Sequence, residues 1–152
     1  MKRVLIAGMG NVLRGDDGFG IRVIERMSRL QLPASVDLYE AGAAGIALVQ
    51  KLMEGYEACI IVDAAQCNGV PGTLYRLIPD VPMSPGSIGM HELNPSKVLA
   101  LARAMGALPS EVVLIGCEPQ DTDELCQELS APVAGAVDQA VEMILQELQR
   151  LT

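Results

Sequence analysis

Val4-Leu5-Ile6-Ala7-Gly8-Met9-Gly10-Asn11-Val12-Leu13-Arg14-Gly15-Asp16-Asp17-Gly18-Phe19-Gly20 is the stretch on which the fold is read. An apolar run enters a glycine-rich turn, and past the turn Ile21, Ile24 and Met27 repeat at helical spacing. Strand, turn and helix therefore follow one another directly. The two acids in the turn allow an ordinary account: Asp16 or Asp17 caps the helix, and both gain from its dipole. A dinucleotide fingerprint is the other familiar use of such a turn, with Gly8-x-Gly10 after a first strand and Glu40 after a second. Leu13 stands where its third glycine belongs, and two carboxylates crowd the helix N-terminus that should take a pyrophosphate. Coulomb repulsion makes this a poor phosphate cradle.

Further along, Val36–Tyr39, Cys59–Val62 and Val112–Ile115 read as strands, and Pro71-Gly72 introduces another at Thr73–Ile78. Val98, Leu101 and Met105 repeat at helix spacing. Ser130 and Pro132 mark the N-cap and start of a C-terminal helix whose apolar face carries Val137, Val141, Ile144 and Leu148. Strands alternating with helices predict an α/β sandwich with a largely parallel sheet. The span from Cys59 to Ile78 leaves no room for a crossover helix, so one strand there runs antiparallel to its neighbour. No linker, repeat or low-complexity stretch interrupts the chain, and residues 1–152 are expected to form a single domain.

Composition narrows the function. Half of the 152 residues are hydrophobic and only 20% charged, which excludes disorder. A net charge of −8, one Phe, three Tyr and no Trp argue against nucleic acid and anionic membranes as partners. The four cysteines form no CxxC pair and are expected as buried free thiols. No signal peptide and no run of roughly 20 apolar residues is present, so the expected compartment is the cytosol.

In an open α/β sheet, ligands sit beyond the carboxyl ends of the strands. Asp17 follows the first strand, Asp63 ends the third, and His91, the sole histidine, precedes a helix starting near Asn94 or Pro95. Each alone has an ordinary reading as a cap or a solvated group. Brought to one rim, two carboxylates and an imidazole suit a borderline divalent ion with positions left for water or substrate. GxSxG and HExxH are both absent.

These segments resemble the hydrogenase maturation endopeptidase family. The resemblance runs through Gly8–Leu13, Asp16–Gly20, Asp63, His91-Glu92-Leu93, Lys97-Val98-Leu99 and Leu114-Ile115-Gly116-Cys117-Glu118-Pro119. It implies a three-layer α/β/α sandwich with a five-stranded, mostly parallel mixed sheet, and a metal bound by the positions that match Asp17, Asp63 and His91. It also implies removal of the C-terminal extension of a nickel-loaded hydrogenase large-subunit precursor by a monomeric enzyme. On the mechanism expected from this resemblance, the precursor supplies the nickel as a recognition element, which would polarise the scissile carbonyl or activate water. Asp16 is either an auxiliary base or a cap. A non-catalytic metal-loading chaperone or accessory protein could use the same three residues. One departure concerns the turn after the second strand, often Asp-Gly-Gly-Thr-like in the family and thought to engage the precursor. Here it reads Glu40-Ala41-Gly42-Ala43-Ala44-Gly45: Glu40 keeps the acid and Gly42 the flexibility for substrate binding, but the hydroxyl is missing. An ordinary strand-to-helix turn accounts for these residues equally well.

Overall fold

The computed structural model describes residues 2–43, 45–83 and 94–152. Five strands, β1 (Val4–Met9), β2 (Val36–Gly42), β3 (Ala58–Ala64), β4 (Leu74–Leu77) and β5 (Glu111–Cys117), form one sheet in the order β2-β1-β3-β5-β4. The first four positions in that order are mutually parallel, and β4 runs antiparallel to β5 at the edge, with Leu74 opposite Cys117. The short β3–β4 connection thus returns the chain past β5 without a crossover helix. The mixed sheet matches the expectation.

β1 is an interior strand buried along its whole length, and its side chains alternate between two cores. Val4 and Ile6 face α1 (Phe19–Met27) and α5 (Val137–Leu151), where Phe19, Val23, Met27 and Ile144 are buried. Leu5, Ala7 and Met9 face the other layer, formed by α2 (Ile46–Leu52) and α3 (Pro95–Ala104), with Leu48, Leu52 and Leu99 buried. Each such large apolar side chain contributes roughly 1.5–3 kcal/mol by leaving water. The result is three layers, α/β/α.

Four local details differ from or sharpen the expectations. The C-terminal helix is broken: α4 (Ala131–Ala134) precedes α5 across Gly135 and Ala136, and the Ser130 side chain does not cap it. Helix α2 had no capping signal to announce it and spans only seven residues. Asn94 caps α3, its Oδ1 accepting from Lys97 N at 2.9 Å with Pro95 at the first position. All four cysteines are free, but only Cys59 and Cys117 are buried; Cys67 and Cys126 are exposed, because both lie in connections outside the sheet.

Candidate active site

The opening glycines place the first acid. α1 lies so close to the sheet that a Cβ at Gly20 would stand 2.1 Å from the Val62 carbonyl oxygen and 2.6 Å from that of Met9. Between β1 and α1 the chain turns through a short 3-10 helix, Gly15–Gly18, which carries Asp16 and Asp17. Gly10 has φ +116°, a conformation that disfavours L side chains, and a Cβ there would lie 1.9 Å from the Asp17 carbonyl oxygen. Its donor N–H is fixed on the Gly42 carbonyl at 3.0 Å. Gly10 therefore lets the turn fold down against β3.

Asp17 and Asp63 meet in a cavity of about 410 Å³ at the carboxyl ends of β1 and β3, lined also by Asn11, Arg14 and Gly42. Asp17 Oδ2 accepts from Asn11 N at 2.9 Å, and Asp63 Oδ1 accepts from Ala64 N at 2.8 Å. The second oxygen of each carboxylate has no hydrogen bond from the described residues. Burial, and then the neighbouring Asp17 charge, push Asp63 up to about 7, against the weaker pull of the Ala64 amide. Two neighbouring acids with open oxygens, one of them raised by burial and then by the other, are chemically suited to a divalent cation, which would cancel their repulsion.

The structure brings together Asp17, Asp63 and Gly42. Gly42, at φ +70°, also borders an adjoining hollow of about 330 Å³, and Glu40 lines that hollow rather than the carboxylate cavity. His91 lies outside the described residues, as does Ala44. Among the described residues no group of three or more His, Cys, Asp or Glu is placed to hold a metal ion.

Asp16 has a different job from its neighbour, and it is not a helix cap. It is 1% exposed, and its carboxylate accepts from Ser130 N (2.7 Å), Ser130 Oγ (2.8 Å), Gln120 N (2.8 Å) and Asp121 N (3.1 Å). Burial alone would raise its pKa; the donors from Ser130, Gln120 and Asp121 outweigh that and hold it below the ordinary value. Saturated in this way, Asp16 ties the 120–130 segment to the turn and is unsuited to act as a base. Glu118 works similarly nearby: its Oε1 accepts from Cys67 N, Gly69 N and Tyr75 Oη, gathering the β3–β4 connection. Asn11 and Arg14 were not singled out by sequence reasoning, although both sit in the glycine-rich turn that was.

An open-sheet α/β/α protein with a paired-carboxylate cavity at its strand ends is the class that fold and site define. The sequence matches the HycI hydrogenase maturation protease family over residues 21–147, a span that includes Asp63 and begins just after Asp17. The chain belongs to the hydrogenase maturation protease family. Hydrogenase expression/formation protein HupD of Rhodobacter capsulatus is 40% identical, across 97% of this chain and 72% of that protein. The hydrogenase maturating endopeptidase HybD from E. coli superposes with a TM-score of 0.82 at 29% identity, covering 97% of this chain and 93% of that one. A hydrogenase 2 maturation peptidase from Thaumarchaeota archaeon SCGC_AB-539-E09 gives 0.74 at 39% identity, covering 97% and 98%. Family membership implies a peptidase, a hydrolase acting in hydrogenase maturation. No helix among the described residues is long and apolar enough to cross a membrane.

Proposed function

We propose that this protein is an endopeptidase that removes the C-terminal extension of a nickel-loaded hydrogenase large-subunit precursor, with Asp17, Asp63 and His91 recognising the nickel. The observation that supports this most is the pair of carboxylates sharing one cavity, each with an uncommitted oxygen. Nickel arrives as part of the substrate, and its chemistry there is that of a Lewis acid toward a carbonyl or water. The residues of this chain do the rest. Asp17 is held in place by the Asn11 amide, and Asp63 by its own strand, so the two oxygens are presented without further rearrangement. Gly42 and Glu40 border the adjoining hollow, which provides a path for the precursor chain beside the acids. The enzyme works as a monomer in the cytosol and meets its substrate transiently.

The test is incubation of the protein with a purified large-subunit precursor from its own host, with and without nickel, read by intact mass. Nickel-dependent loss of a C-terminal peptide supports the reading and locates the bond. Nickel-dependent binding with unchanged mass would instead make the protein a metal-loading chaperone. A verified nickel-loaded precursor that neither binds nor changes mass refutes both.

A further inference from the structure

We propose that Arg14 is a substrate-binding residue of the carboxylate cavity, donating together with the side-chain amide of Asn11 to main-chain carbonyl oxygens of the precursor. The inference rests on the endopeptidase reading for the identity of the bound chain and adds how that chain is gripped.

The backbone of Arg14 is clamped and its side chain is not. Its N–H donates to the Asn11 carbonyl at 3.1 Å, and its own carbonyl accepts from Asp17 N at 3.1 Å. On either side, Cys126 N donates to Leu13 O at 2.9 Å and Gly15 N to Cys126 O at 2.7 Å, so residue 14 forms a parallel bridge with Cys126. The 120–130 segment that holds this bridge is itself pinned by Asp16. From that fixed base Arg14 is exposed and lines the cavity, and no described residue gives its side chain a hydrogen bond or an ion pair. Among the described arginines Arg22 is occupied by Glu25, Arg26 by Asp138, and Arg76 and Arg150 by Glu147; Arg29 also lacks a side-chain partner, but it lies on the far hollow beside α1 and not at the carboxylates.

Asn11 offers the second donor. Its Oδ1 accepts from Leu13 N at 2.9 Å, which fixes the amide orientation and leaves Nδ2 without a partner among the described residues. The main-chain donors of Gly10 and Asn11 are already spent on Gly42 O and Asp17 Oδ2. Arg14 and the Asn11 amide are thus uncommitted side-chain donors in a wall whose other polar side chains are carboxylates. The charge around them selects the acceptor. Asp17 and Asp63 in the cavity and Glu40 beside it repel an anionic side chain, whereas a neutral peptide carbonyl accepts from Arg14 without that penalty.

Arg14→Met keeps the aliphatic stem and removes the donors; Arg14→Lys restores a charged donor without the fork. Each is titrated by fluorescence anisotropy against the labelled, nickel-loaded precursor from the host, and initial processing rates are taken across precursor concentrations. Arg14→Met is expected to weaken binding by about tenfold or more, as for loss of a charged hydrogen-bond donor, and to act on KM rather than kcat. Arg14→Lys recovers part of the loss. Melting temperatures stay at the wild-type value, since the side chain has no partner to lose. Wild-type affinity in Arg14→Met, a Lys variant no better than Met, or no saturable binding by the wild type overturns the inference. A wild-type protein that binds without cleaving, with affinity still dependent on Arg14, instead overturns the endopeptidase reading and leaves the grip intact.

Discussion

Replacing Asp63 with Asn should make the metal-free protein more stable, most of all at alkaline pH. The carboxyl of Asp63 is raised from 3.8 to about 7 by burial and by Asp17, so the folded state holds its proton after the unfolded chain has released it. The sign follows from linkage. Below pH about 4 both states are protonated and the site costs nothing; between about 4 and 7 stability falls as pH rises, and above that the penalty is complete. A rise from 3.8 to about 7 corresponds to a ceiling of roughly 4 kcal/mol. Asp63 is partly open to the cavity, and solvent screening brings the expected figure to roughly 2 kcal/mol. For a domain of this size that is about 4–8 °C in melting temperature. Asn retains an oxygen for the Ala64 amide, so the substitution removes charge without removing that bond. Thermal melts of both proteins from pH 4 to pH 8, with chelator present, measure it. A variant no more stable than wild type at pH 8, or a difference that fails to close toward pH 4, refutes the raised Asp63 pKa that burial, and then Asp17, produce. The Asp63→Asn variant should at the same time lose nickel-dependent processing, which separates a site built for function from one built for stability.

The other acid in the turn should behave in the opposite sense. Asp16→Ala removes the buried acceptor shared by the part-buried N–H groups of Ser130, Gln120 and Asp121, at a cost of roughly 2 kcal/mol in urea denaturation at pH 7. Because the Asp16 pKa is lowered, its contribution is present above the ordinary carboxylate value and is lost as pH falls through the folded pKa, so the two proteins converge in acid. Gly20→Ala drives a Cβ into the Val62 and Met9 carbonyls and should cost roughly 3 kcal/mol or prevent accumulation of folded protein; an unchanged urea midpoint would contradict the close approach of α1. His91→Ala should abolish nickel-dependent cleavage with the circular dichroism spectrum and melting temperature retained, and cleavage by this variant would remove His91 from the mechanism.

How much of this was legible beforehand depended on whether a residue's role was written in its neighbours along the chain. β1 could be read from Val4–Ala7 because an interior strand buried on both faces must be continuously apolar, and α1 because Ile21, Ile24 and Met27 recur every turn. The antiparallel edge was legible too, since no crossover helix fits between Cys59 and Ile78, although the partner of β4 turned out to be β5. Helix α2 was not, being too short to display a period and lacking a side-chain cap. The same limit governed the site. Asp17 and Asp63 could be placed on one rim by the general rule for strand ends, but nothing local distinguished Asp17 from Asp16. What divides them is distant in sequence: Gln120, Asp121 and Ser130 converge on one carboxylate, and β3 lies under the other. Two adjacent aspartates on a tight 3-10 turn point different ways, so one is saturated with donors and lowered in pKa while its neighbour is left with an open oxygen. The pair therefore does two jobs at once. Asp16 fixes the turn that carries Arg14 and Asp17, and the hydrogen bonds it accepts offset part of the repulsion that Asp17 and Asp63 bring to the fold.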